Sequence, residues 1–160
     1  MSLARSVHLL PFESRKDTQS IFSYVLRFKS PNNTEQDAPA LLYVINHRPE
    51  VIIELCRGYE HKESAMPCGT VLREIMKHDE VVEIILYDQS KEGERAIRLD
   101  QIRPETKQAG SGVFWKFFAW IDRGAFEVST DAFTTFRVRR FGLFRNAQGL
   151  TAGLGNPYEA

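Results

Sequence analysis

Cysteine is scarce in this chain of 160 residues. There are two, Cys56 and Cys68, too few for the disulfide framework of a small secreted domain. Both fall on apolar helix faces, where a reduced thiol packs as a small hydrophobe. Net charge is also lacking. Twenty-one basic residues balance 21 acidic ones, so no global field draws the chain to nucleic acid or to an anionic membrane. No apolar run approaches the length of a membrane span. The N-terminal MSLARSVHLLPFESRK has one arginine before a short apolar patch, which does not make a secretory signal. These absences predict a cytoplasmic protein without membrane insertion.

Catalytic constellations are missing too. The Gly-Ser-Gly at 110–112 has neither the lysine nor the preceding strand of a phosphate loop. His8, His47, His61 and His78 have no metal-ligand spacing. His61 and Glu63 can be drawn as an acid–base pair or as a solvated turn, and the turn is the simpler reading. Ser64 has no Gly-x-Ser-x-Gly context and reads as a helix cap. No loop carries the EF-hand ligand pattern. The reading is a non-enzyme with no metal and no cofactor.

What is present is helical periodicity. Residues 49–88 predict three short helices parted by two polar turns. Pro49 suits a first helical position. Ile52, Leu55, Cys56 and Tyr59 then recur at the spacing of one helix face. The polar run Glu60–Ser64 breaks the pattern, and Ser64 is read as the cap of a second helix with Pro67 in its first turn. That helix carries Ala65, Cys68, Leu72, Ile75 and Met76 on one face. Gly69 costs about 1 kcal/mol there relative to alanine, so it marks a close approach by a neighbour. Asp79 is read as capping a third helix with the stripe Val82, Ile85, Leu86. Helices this short are marginal alone, since isolation demands roughly 12–15 residues. Each must bury its stripe on another.

Upstream, Glu13–Asp17 reads as a polar turn before the stripe Ile21, Phe22, Val25, Leu26. Residues 30–37 read as a loop. Asp37 and Pro39 then open a helix through Leu41, Leu42, Val44 and Ile45. Downstream, residues 89–112 are charged and read as a flexible insertion. From Val113, the set Phe114, Trp115, Phe117, Phe118, Trp120 and Ile121 is apolar nearly all round. It is either a deeply buried helix or a helix awaiting a partner. A further helix starts near Glu127 with Ala132, Phe133 and Phe136 apolar. Residues 138–160 hold four glycines and no helical period, and are expected to be disordered. Their basic cluster, with Arg137, Arg139, Arg140 and Arg145, makes only a weak electrostatic site for nucleic acid.

A repeat connects these pieces. SIFSYVLR (20–27), MPCGTVLR (66–73) and TDAFTTFR (130–137) each end in a large apolar residue followed by arginine, with an anchor four residues before that apolar residue at Phe22, Cys68 and Ala132. The arginines lie 46 and then 64 residues apart, and the charged insertion accounts for the longer interval. A period in the forties with three helices per unit predicts an all-α, armadillo- or HEAT-like solenoid over residues 7–137. Arg27, Arg73 and Arg137 either line one face or complement helix C-terminal dipoles.

The segments LCRGYE (55–60), CGTVLRE (68–74) and FEVSTDAFTTF (126–136) resemble the calcium-binding protein 39 family, the armadillo-like scaffolds that include fungal HymA-type conidiation proteins. FESRKD (12–17), Ile21-Phe22, Leu26-Arg27, Ile84 to Leu86 and Phe117-Phe118 agree in order, so the resemblance covers about residues 9–137. It implies a non-catalytic α-solenoid that binds a Ste20/germinal-centre-type protein kinase or a pseudokinase and holds the kinase active, within signalling for polarised growth. By matching positions it implies Lys16, Tyr59, Phe126, Arg57 and Arg73 as kinase-facing residues. The insertion at 89–112 is similar to the longer loop of fungal members. Family members are longer at both ends. The expectation is therefore a partial repeat array without the later partner-tail pocket, and the alternative reading is a truncated or mis-spliced piece of such a scaffold.

Overall fold

The computed structural model describes residues 3–29, 38–103, 105–107 and 110–137. Among them it holds eight α-helices and no strand: α1 (Leu3–Ser6), α2 (Phe12–Arg27), α3 (Pro39–His47), α4 (Glu50–Arg57), α5 (Lys62–Ile75), α6 (Asp79–Tyr87), α7 (Val113–Arg123) and α8 (Phe126–Arg137). Short 3-10 turns follow α1 and α4, and a third lies at Leu99–Gln101. The expected loop 30–37, the cap at Asp37 and the tail 138–160 fall outside the described residues.

The three repeated octets lie toward the C-terminal ends of α2, α5 and α8, and these helices form one row. α2 packs on α5, and α5 packs on α8. Behind the row, α4 contacts α1, α5, α6 and α7. The unit α3–α4–α5 is thus one three-helix repeat, and α6–α7–α8 is the next, as in an armadillo-like solenoid. Of the repeat anchors, Cys68 and Ala132 are buried and Phe22 packs at the margin of the same core.

Several local expectations change because packing overrides local pattern. Glu13–Asp17 is the opening of α2 rather than a turn. The side chains there favour the helix: Arg15 donates to the Leu10 carbonyl at 2.7 Å, and Thr18 Oγ1 donates to the Ser14 carbonyl at 2.7 Å. The buried face of α2 carries Thr18 and Leu26, while Ile21 and Val25 are exposed. α5 starts at Lys62, so Pro67 lies in its second turn and Ser64 is not its cap. Ser64 is buried and donates back to the Gly58 carbonyl at 2.7 Å, fastening the turn after α4 to α5. Asp79 opens α6 and His78 precedes it as the cap residue. The buried face of α6 is Val81, Ile84 and Ile85, rotated by one residue from the expected stripe.

α4 departs furthest from a one-faced helix. Every residue from Ile52 to Arg57 is buried. Periodicity assigned one face to it, but a helix touched by four others needs an apolar surface nearly all round. Each fully buried isoleucine or leucine contributes roughly 1.5–3 kcal/mol. The two charged members, Glu54 and Arg57, are paired at 2.8 Å, as buried charges require.

Residues 88–112 leave and re-enter the repeat at one point. A Cβ on Gly112 would collide with the carbonyl of Asp88, so the ends of the segment meet and only glycine fits there. Between the ends, Arg57 donates to the Ser90 carbonyl at 2.7 Å, Glu92 pairs with Arg5, and Gln89 donates to the Lys107 carbonyl at 3.2 Å.

Candidate interaction surface

The row α2–α5–α8 is tied crosswise by its own repeat residues. Arg27 at the end of α2 pairs with Glu74 of α5 at 2.9 Å. It also donates to the Ser23 carbonyl at 3.0 Å, which suits a cation near a helix C-terminus. Arg73 at the end of α5 pairs with Asp131 of α8 at 2.9 Å and donates to Thr135 Oγ1 at 2.8 Å. Lys62 and Glu127 pair at 3.2 Å at the other end of the same two helices. The first two arginines therefore register neighbouring repeats.

Tyr59 belongs to this junction. It is buried, with its ring against Phe117 and Trp120 of α7 at centroid distances of 5.4 and 5.6 Å. Its hydroxyl donates to Asp131 Oδ2 at 2.5 Å and meets Thr135 Oγ1 at 2.7 Å. Arg73 donates to Thr135, so Thr135 is free to donate to Tyr59. The four groups then close a ring in which every donor has an acceptor. Burial, reinforced by the hydrogen bond to Asp131, pushes the Tyr59 phenol well above its ordinary value. Gly69 makes room for the ring of bonds: a Cβ there would run into the Asp131 carboxylate and the Tyr59 hydroxyl. The close approach expected at Gly69 is present.

The five residues implicated by resemblance do not form one patch. Lys16 is exposed on α2, with its ammonium 5.0 Å from the Phe12 ring centroid. Phe126 is 84% exposed at the start of α8. Tyr59 and Arg73 are brought together, but inside the α5–α8 junction. Arg57 is 6% exposed and faces Glu54 and Ser90, on the side of the 88–112 segment. Tyr59 and Arg57 are thus not on a surface that a partner reaches. Tyr59 is held by hydrogen bonds to residues 72 and 76 positions away, and Arg57 by Glu54 three positions before it and by the Ser90 carbonyl. Asp131 and Thr135 were not singled out from the sequence, although their four-residue spacing puts them on one helix face.

The aromatic helix α7 divides between its two readings. Val113 and Phe117 are buried, whereas Trp115 and Phe118 are 41% and 46% exposed. Phe118 meets Phe136 of α8 at 5.2 Å, and Phe114 meets the same ring at 5.9 Å. Exposed apolar side chains also stand along the row at Phe12, Tyr24, Met66 and Phe133. Both thiols are free and buried, and burial pushes Cys68 up to about 12 and Cys56 also upward. Among the described residues no group of three or more His, Cys, Asp and Glu is placed to hold a metal ion, and no helix is long and apolar enough to cross a membrane.

The model of the family described as Mo25-like matches residues 1–141. The conidiophore development protein hymA of Emericella nidulans is 64% identical over 135 residues, covering 84% of this chain and 35% of that protein. MO25-like protein 2 of Caenorhabditis elegans is 30% identical over 135 residues, covering 84% of this chain and 32% of the relative. Calcium-binding protein 39-like of Homo sapiens is 28% identical over 137 residues, covering 86% and 32%. The chain spans about a third of the length of these curated relatives.

Proposed function

The chain belongs to the Mo25-like family, and from that premise we propose that it carries part of a non-catalytic scaffold that binds and allosterically activates a Ste20/germinal-centre-type protein kinase. The setting is cytoplasmic signalling for morphogenesis and cell polarity. The name of the hymA relative, a conidiophore development protein, supports a developmental role. The observation that carries the reading is the cross-braced row α2–α5–α8. It presents Phe12, Lys16, Tyr24, Met66 and Phe126 from helices that salt bridges hold in register. A surface with aromatic anchors can dock on one conformer of a partner and shift its population toward that conformer.

Lys16 and Phe126 are assigned direct contact. Tyr59 and Arg73 act by fixing α8, and Arg57 acts by fixing the 88–112 segment. The test is binding and activation of a purified Ste20-type kinase by the chain, by Lys16→Glu and by Phe126→Ala. Both side chains are exposed, so both variants should melt like the parent. Each should lose about tenfold or more in affinity, as truncation of an interface anchor does. Normal binding by both would remove the assigned face.

A further inference from the structure

A second surface lies away from the row. We propose that the groove between the α3–α4 corner and the 89–101 segment binds an acidic segment of a partner protein. The groove encloses about 1010 Å³ and is lined by His47, Arg48, Tyr87, Arg95, Arg98 and Gln101 among others.

Its charge is sorted by the local fold. The segment between Asp88 and Gly112 has acidic and basic residues in similar number, yet they do not face the same way. Glu92 is drawn to Arg5 on α1 and lines a different, smaller cavity. Glu94 accepts the backbone N–H of Lys91 at 2.9 Å, closing its own turn. Asp100 pairs with Arg98 at 3.4 Å and lines an adjoining depression. Among the described residues Glu50 is the one acidic side chain lining the groove itself, and it is paired with Arg48 at 2.5 Å. Arg95 is exposed and in no ion pair among the described residues. Three guanidinium groups therefore face one carboxylate in the groove and a second beside it, both already engaged.

The engaged pairs are no barrier. Arg48, Arg98 and Asp100 are all more than half exposed in their side chains, and exposed pairs contribute about 0–1 kcal/mol. An incoming carboxylate can replace Asp100 at little cost, and can share Arg48 with Glu50, whose side chain is 29% exposed. Arginine presents a planar fork that takes a carboxylate through two parallel bonds. Tyr87, Gln89 and Gln101 add neutral partners along the same walls. The volume is far larger than one small anion needs, and suits several residues of an extended acidic chain, the mode in which arginine clusters read acidic motifs.

The test uses a fluorescein-labelled octapeptide of alternating glutamate and serine, with a lysine–serine octapeptide as control. Anisotropy is read at low salt and again with added sodium chloride. The parent should bind the glutamate peptide and not the lysine peptide, and affinity should fall as screening increases. The triple variant Arg48→Glu, Arg95→Glu, Arg98→Glu should lose about tenfold or more in affinity. Should the triple variant fail to fold, Arg95→Glu alone, which breaks no pair, should weaken binding about threefold or more. Equal binding by the reversal variants overturns the proposal, as does no binding by the parent at low salt. Displacement of the peptide by equimolar inorganic phosphate also overturns it, because the groove would then be a small-anion site.

Discussion

The Tyr59 hydroxyl donates to the Asp131 carboxylate at 2.5 Å, across 72 residues of sequence. This bond joins the 3-10 turn after α4 to α8. It stands at the polar centre of the α5–α8 junction, with Arg73 and Thr135 closing the ring. Tyr59→Phe would leave Asp131 and Thr135 each short of a partner in a buried place. The expected loss is about 1–3 kcal/mol, the cost of leaving buried groups unsatisfied, read from urea unfolding. The loss has a definite pH dependence. An unfolded tyrosine ionises near its ordinary value of 10.0, and native Tyr59 holds its proton above that. The stabilisation is complete below pH 10 and declines as pH rises beyond it. The stability gap between parent and Tyr59→Phe should therefore narrow in alkaline buffer. A gap that stays constant there would show that the phenol is not protected.

Gly69 lies where α5, α8 and the Tyr59 hydroxyl converge. Gly69→Ala should raise helix propensity by about 1 kcal/mol, and on an open surface that would stabilise. Here the added methyl meets the Asp131 carboxylate and the Tyr59 hydroxyl. Overpacking of about 1–3 kcal/mol should win, so the melting temperature falls. A double-mutant cycle with Tyr59→Phe should show coupling, since the clash partly disappears with the hydroxyl. Additive effects would mean that α8 moves aside as a body.

Much of this architecture is legible in the sequence. The three octets ending in arginine mark α2, α5 and α8, the helices that form the row. Local periodicity carries that signal because each octet has one buried edge. The signal fails for α4, buried all round through contacts distributed over four other helices. It fails at Ser64 because a good capping residue also serves as a buried donor, here to Gly58. Tyr59 carries two readings in the sequence, one as a member of the apolar stripe that begins at Ile52 and one, from the resemblance, as a kinase-facing residue; the stripe reading agrees with its burial. An apolar ring with a polar tip is equally suited to a surface and to a buried junction. Only the distant Asp131 and Thr135 decide between them.

The two thiols should be inert while the chain is folded. Cys56 and Cys68 are at most 1% exposed. Burial holds Cys68 protonated up to about 12 and raises Cys56 as well, with Asp88 adding to the effect at Cys56. The thiolate is the reactive form. A disulfide-exchange reagent at neutral pH should therefore label neither residue in buffer and both in denaturant. Rapid labelling of either one in buffer would place it on a segment that opens locally.

Arg57 connects two regions through one side chain. It pairs with Glu54 at 2.8 Å inside α4 and donates to the Ser90 carbonyl at 2.7 Å in the segment that follows α6. Arg57→Met keeps the apolar stem but removes both bonds, leaving Glu54 buried without its cation. Breaking one side of a buried pair costs about 3–5 kcal/mol. The double variant Arg57→Met, Glu54→Met removes the orphaned charge and should regain most of that stability. It should not restore the bond to Ser90. Limited trypsin digestion should therefore cut both variants faster than the parent at Lys91 and Arg95, while thermal melting should separate the single variant from the double. Parent-like digestion of the double variant would show that the contacts of Glu92 and Gln89 hold the segment without Arg57.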